Sequence, residues 1–295
     1  MNRDGVTFGF GVFGIPPEQI VKIAARADRL GFDWISIGDQ TVRLDSLNLE
    51  SADPSLLAAL AAPFDHADPF VLAAAVLTEA PNLEFFTTVF VLPLHNPLVV
   101  ARAATGVQKL SGGRLVLGVG SGVMEEEYLT LKVPFESRGA RFDEAIEVVK
   151  RASEGGSFVF SGEFFDFPQL TVTSRSAPVP IVIGGPSKRA FRRAAELGDG
   201  WYSMASMTAE DCSAAKRTIE AMRTEKGTDG KPFSYTIALP DIQPDVVAPY
   251  LEAGFRRFNL MGRKVFPDPT VSLGDKLEAI EEVAAVFDLV PRVGA

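Results

Sequence analysis

Short β-rich runs and helical periods alternate along the whole of this chain, and no break in composition interrupts them. The series opens with TFGFGVF (Thr7 to Phe13), PPEQIVKIAARADRLGF and DWISIGD, which ends at Asp39. That is β, α, β. The first helix starts at Pro16 and Pro17, sets Ile20, Ile23, Ala24, Ala27 and Leu30 on one face, and stops at Gly31. PFVLAAAVLTEA, LEFFTTVFVLP, PLVVARAATGVQKLSGG and RLVLGVGSG continue the rhythm, and PIVIGG, GWYSM, FSYTIALP and RRFNLMG, each with a following helix, complete it. Eight strand-like segments each followed by a helix favour a closed (β/α)8 TIM barrel over an open doubly wound sheet. In such barrels the chemistry lies at the C-terminal ends of the strands.

Two stretches depart from the rhythm. Gln40 to Ala67 is too long for an ordinary connection, which predicts a lid or pocket wall. SFVFSGEFFDFPQLTVTSRSAP, residues 157–178, reads as a hairpin-like insertion with Ser161-Gly162 at its turn. It founds no domain of its own, so residues 1–295 are read as one barrel domain. Between them, the helix from Glu136 to about Glu154 places Arg138, Arg141, Glu144 and Glu147 at ion-pair spacing on its outer face.

Composition limits the partners. With 46% apolar residues, the 295-residue chain has material for a sizeable core. No apolar run approaches the roughly 18 residues of a membrane span, and MNRDGVTFGFG shows no charged leader before an apolar stretch. The expectation is a cytoplasmic protein with no membrane partner. Cys212 stands alone, which excludes an internal disulfide and predicts a partly buried, inert thiol. Twenty-nine basic against 38 acidic residues give a net charge of −9, which disfavours a nucleic-acid partner and leaves small molecules.

Several constellations fall at strand ends. Gly184-Gly185-Pro186-Ser187-Lys188 follows PIVI and opens a helix carrying Arg189, Arg192 and Arg193. Glycines admit close backbone approach, and free helix amides favour an anion, so a phosphate site is one reading. A plain βα turn with a solvated basic face is the other. Gly118-Val119-Gly120-Ser121-Gly122 offers a flat floor for a planar ring but lacks the GxGxxG of a dinucleotide fold. Met124-Glu125-Glu126-Glu127-Tyr128 follows it, and its glutamates read as a charged first helical turn rather than a catalytic cluster. Asp39 and Gln40 end the second strand, facing the pocket or bracing the loop. Thr87 and Thr88 sit in an apolar strand, and Asn96 of His95-Asn96-Pro97 is a helix cap or a ligand contact. His66 lies in the long loop, at the pocket mouth or on the surface. With two histidines and no HxH, HExxH or cysteine cluster, no metal site is expected.

Taken together, TTVFVLPLHNPLVVARAATGVQKLSGGRLVLGVGSGVMEEEY, PFESRGARFDEAIEVVKR and PIVIGGPSKRAFRRAAELGDGW, in that order, resemble the luciferase-like monooxygenase superfamily, especially its branch using the deazaflavin coenzyme F420. The resemblance covers nearly the whole chain. It implies a (β/α)8 barrel with an insertion, a homodimer, and redox chemistry on F420 or FMN. Residue by residue, it implies that Asp39, Ser121, Gly122 and Glu126 lie near the deazaflavin, and that Gly184, Gly185, Ser187 and Lys188 surround its phosphate. It also matches Thr88-Val89 to a bulge with a non-proline cis peptide behind the ring. Gln40, Val123 and His66 are the residues expected to line the substrate pocket.

This sequence departs from the family pattern at three positions. Where the sugar-phosphate dehydrogenases of the branch carry a catalytic histidine and a glutamate acid, this chain has Gln40 and Val123, neither of which titrates near neutrality. Where many FMN relatives place an arginine against the phosphate, it has Val99. The resemblance, with these departures, therefore implies an F420-dependent oxidoreductase acting on a small organic substrate. The rivals are an FMN-dependent monooxygenase using oxygen and a catalytically silent flavin-binding protein on the same scaffold.

Overall fold

The structure, a computed structural model, describes residues 5–42, 67–173 and 176–292. His66 and most of the long segment after Gln40 lie outside the described residues. Eight parallel strands form a closed barrel. β1 (Thr7–Gly11), β2 (Trp34–Ile37), β3 (Glu84–Thr87), β5 (Leu115–Gly120), β8 (Ile181–Gly184), β9 (Gly200–Tyr202), β10 (Ser234–Leu239) and β11 (Arg257–Leu260) supply the staves. They run in the order β3-β2-β1-β11-β10-β9-β8-β5, and pairing of β5 with β3 closes the ring. A two-residue strand, β4 (Phe90–Val91), resumes the line of β3 beside the end of β5. The (β/α)8 expectation holds.

Two-residue alternation sorts each strand between two cores. In β2, Ile35 and Ile37 face the surrounding helices, while Trp34 belongs to the barrel interior with Phe86, Val182, Tyr202 and Ala238. Trp34 fits because Gly9 faces it, where any side chain would collide with the indole ring. Burying a side chain such as Phe86 is worth about 1.5–3 kcal/mol, so this small cluster anchors the staves from within.

The helices follow the strands as the sequence predicts. α1 (Pro17–Leu30) has a proline at its start and ends on Gly31 in the left-handed region, φ 91°. It buries Ile20, Ile23, Ala24 and Ala27. α2 (Pro69–Glu79) and α3 (Pro97–Ser111) are capped by Asp68 and Asn96, whose carboxylate and amide oxygens accept from the first free amides. α4 (Glu125–Thr130) is one short turn, and α5 (Arg138–Glu154), α6 (Lys188–Leu197), α7 (Ala209–Lys226), α8 (Pro244–Glu252), α9 (Gly262–Val265) and α10 (Leu273–Val286) complete the layer. No helix among the described residues is long and apolar enough to cross a membrane. Cys212 is fully buried on α7, more enclosed than the sequence suggested, and burial pushes its thiol up to about 11.

β6 (Gly156–Ser161) and β7 (Asp166–Val172) form an antiparallel hairpin within the stretch read as an insertion. The outer-face ion pairs expected on α5 are largely replaced by other contacts. Glu144 accepts from the amides of Glu163 (2.7 Å), Phe164 (2.9 Å) and Phe165 (3.1 Å) and so closes the hairpin turn. Arg141 donates to the Pro93 carbonyl at 2.8 Å and lies over the Phe165 ring. Arg138 stacks on Phe135. Among the described residues, Glu147 keeps an ion pair along the helix, with Arg151.

Candidate functional site

At the C-terminal mouth, the strand line of β3 breaks at Thr88-Val89, whose peptide bond is cis. The bulge stays in register with β2: Thr88 N donates to the Ile37 carbonyl at 2.7 Å, and Asp39 N donates to the Val89 carbonyl at 3.1 Å. The Thr88 hydroxyl bonds Tyr202, a buried phenol that also accepts from Asn259 Nδ2 at 3.1 Å. Asn259 Oδ1 accepts from Trp34 Nε1 and Ser36 Oγ, both at 2.9 Å. Burial, opposed by hydrogen bonds from Asn259 and Thr88, raises the Tyr202 phenol to about 12, so it stays neutral at physiological pH.

Val89 is wedged between two strand ends. Its methyl groups lie 2.6 Å and 2.7 Å from where a Cβ would stand on Gly120 and Gly184. No larger residue fits at either position without displacing Val89. Gly122, at φ 68°, meets Val91 in the same way, and the neighbouring Ser121 carbonyl accepts from Tyr128 OH at 2.5 Å. The glycines thus bring β4, β5 and β8 to one surface at the mouth.

Beside that surface, Asp39 Oδ2 accepts from Val91 N at 3.1 Å and meets His95 Nε2 at 2.9 Å. The Asp39 side chain is 6% exposed and that of His95 25%. The imidazole stacks on Phe90, ring centroids 4.3 Å apart. Two residues on from Asp39, Thr41 N donates to Glu127 Oε1 at 3.0 Å. Glu127 is buried, and desolvation, with Asp39 nearby, raises its carboxyl above the usual range against the pull of its backbone hydrogen bonds. Gln40, held between these two anchors, is also buried, and neither polar atom of its amide has a partner among the described residues. Val123 is exposed at the rim. Glu126 is half-buried, one position from Glu127, and its carbonyl accepts from Thr130.

Gly184 and Gly185 lead to α6 with Gly185 at φ 118°, a conformation that favours glycine. Gly185 N donates to the Tyr202 carbonyl, and its own carbonyl accepts from Trp201 Nε1 at 2.9 Å. Ser187 is the cap of α6, its Oγ accepting from Ala190 N at 3.2 Å. This leaves the amides of Lys188 and Arg189 pointing out of the helix start. Both side chains are exposed, without an ion-pair partner among the described residues. The other two arginines of the helix serve packing: Arg193 is buried against Asp143, and Arg192 pairs with Asp143 and Glu196 at 3.0 Å.

A cavity of about 750 Å³ opens at the opposite end, where Glu84, Ser234 and Arg257 begin their strands. Four of its charges form ion pairs, Glu84 with Arg257 at 2.5 Å and Asp199 with Lys150 at 3.6 Å. The chemistry of a (β/α)8 barrel belongs to the other face, at the C-terminal ends of its strands, so this cavity is not taken as the site. Among the described residues no group of three or more His, Cys, Asp or Glu could hold a metal ion.

The structure therefore gathers Asp39, Gln40, Thr88, Val89, Ser121, Gly122, Gly184 and Gly185 along one edge of the barrel, with Ser187 and Lys188 opening the next helix. It adds His95 and Glu127. His95 was legible as part of a cap motif, and Glu127 as one of three consecutive glutamates, but nothing in their spacing said that they would reach Asp39 and Thr41.

Comparison with known proteins bears on this edge. The profile of the luciferase-like monooxygenase family matches residues 5–242. The 5,10-methylenetetrahydromethanopterin reductase of Archaeoglobus fulgidus is 31% identical over 154 residues, 52% of this chain and 46% of the relative. The F420-dependent glucose-6-phosphate dehydrogenase of Nakamurella multipartita is 30% identical over 192 residues, 63% of this chain and 52% of the relative. The chain thus spans about half the length of the curated relatives it matches. Among solved structures, an F420-dependent secondary alcohol dehydrogenase in complex with an F420-acetone adduct superposes with a TM-score of 0.73 at 16% identity, covering 95% of this chain and 99% of that one. The profile match extends over most of the barrel and over the whole candidate edge, and the chain belongs to the luciferase-like monooxygenase family.

Proposed function

We propose that the protein is an F420-dependent oxidoreductase that moves a hydride between the deazaflavin and a small organic substrate. The observation that carries the reading is the surface formed by Val89 against Gly120 and Gly184, beside a helix start with two cations that have no ion-pair partner among the described residues. Val89 fills the space over both glycines and forms a floor against which a planar ring could lie, and Lys188 and Arg189, with no ion-pair partner among the described residues, are available to an anionic group. These residues fit a phosphate-bearing deazaflavin. Asp39, Val89, Ser121, Gly122 and Glu126 would line the ring, and Gly184, Gly185, Ser187 and Lys188 its phosphate. When bound, the group supplies the hydride-accepting and hydride-donating carbon. The chain's own residues bind and orient it: Asp39 is fixed by Val91 and His95, and Glu127 ties down the backbone at Thr41.

Val99 favours F420 over FMN, because it leaves an exposed apolar side chain where an FMN relative has an arginine. Val71 on α2 and Val99 and Leu110 on α3 are also exposed apolar residues, which supports the homodimer. The test is a side-by-side fluorescence titration of purified protein with F420 and FMN. Tighter binding of F420 is expected. A preference for FMN would redirect the search to oxygen-dependent chemistry, and binding of either without substrate-driven reduction or reoxidation would favour the silent binder.

A further inference from the structure

At the end of the barrel away from the Val89 surface, the cavity of about 750 Å³ has the volume of a ligand pocket and no part in the chemistry proposed above. We infer that it is a second binding site, for a small neutral molecule that is mostly apolar and carries one hydroxyl or carbonyl group. The inference stands whether or not the oxidoreductase reading holds.

The walls are the first observation. Val116 and Val182, near the starts of β5 and β8, line the cavity and take the interior face of the barrel with Trp34. Arg257, also on the lining, lays its guanidinium over the Trp34 ring, 3.9 Å from the centroid. Phe233 adds a half-buried ring from the segment before β10.

The second is charge. Glu84 and Arg257 pair at 2.5 Å. Lys150 donates to the Leu197 carbonyl at 2.6 Å and stands 3.6 Å from Asp199, whose second oxygen accepts from Ile181 N at 2.9 Å. The remaining charged residues of the lining, Glu154 and Lys231, have opposite signs and are exposed, where water screens them. A charged ligand would give up its hydration without gaining a committed counter-charge, so the lining selects a neutral one.

The third is Ser153, in the last turn of α5. It lines the cavity and is 6% exposed, and its Oγ has no hydrogen-bond partner among the described residues. Thr78, Thr105, Ser213 and Thr218 each return their hydroxyl to the carbonyl four residues back along their helix, at 2.7–2.9 Å. Ser153 makes no such bond. A buried hydroxyl left unmatched is unfavourable, and one polar group on an otherwise apolar ligand supplies its partner.

The test is equilibrium dialysis of the purified protein against 2-naphthol, naphthalene and 2-naphthoate. Saturable binding of 2-naphthol, tighter than that of either other compound, is expected. Ser153→Ala should weaken 2-naphthol by about 3–10-fold and leave naphthalene unchanged. Without ligand, that variant should melt no lower than the wild type, because the hydroxyl it loses has no partner. Val116→Phe, which puts a ring into the cavity, should abolish 2-naphthol binding. No binding of 2-naphthol at millimolar concentration, or tighter binding of 2-naphthoate, overturns the proposal. So does full 2-naphthol affinity in either variant, or a lower melting temperature of empty Ser153→Ala. Should Val116→Phe fail to fold, the two readouts of Ser153→Ala still decide the question.

Discussion

Val89 shows how much of the site depends on residues with no side chain. Its two methyl groups fill the space over Gly120 and Gly184, so each contact constrains both partners. Gly184→Ala should therefore destabilise the protein by about 1–3 kcal/mol through overpacking. Val89→Ala in the same chain should recover much of that loss, a non-additivity that urea denaturation of the four proteins in the cycle would measure. Additive effects would mean that the two residues do not compete for one space. The glycines themselves were legible in the sequence as a GxGxG run and a Gly-Gly turn. Their partner was not, because Val89 reads as an ordinary strand valine until the bulge turns it against both strand ends. The same limit applies to Glu127. Three consecutive glutamates at a helix start look alike in sequence, and only the helix's placement decides that the third reaches Thr41.

Among the elements, the strands and most helices were readable from periodicity and caps, since α1 stops at Gly31 and α3 begins at Asn96 for local reasons. The role of α5 was not. Spacing alone suggested a solvated row of ion pairs, whereas its arginines and Glu144 face the hairpin and the neighbouring turn. Glu144 offers its carboxylate to three successive amides at 2.7–3.1 Å. Glu144→Ala should leave those amides without their acceptor and loosen the turn, at a cost of about 1–3 kcal/mol confined largely to the hairpin. Hydrogen exchange should then accelerate in residues 156–172 while protection of the barrel strands is retained. Uniform acceleration throughout the chain would contradict the view of the hairpin as an appended element.

At the scale of the whole molecule, closure of the barrel places the ends of β2, β4, β5 and β8 on one face, which no local pattern could show. The protein is acidic, at −9, yet the start of α6 presents Lys188 and Arg189 without ion-pair partners among the described residues, while Arg192 and Arg193 are committed to Asp143. The basic face read from the sequence at this helix is thus reduced to two of its four cations. On the proposed reading, a phosphate-bearing cofactor held by these two exposed cations should bind with an affinity that weakens as salt screens them. The most direct measurement is the affinity for F420 at low and high salt in the wild-type protein and in the Lys188→Glu, Arg189→Glu double variant. The account predicts tight binding that weakens with salt in the wild type and falls at least 10-fold at low salt in the variant. Binding of equal strength in both proteins, indifferent to salt, would contradict it.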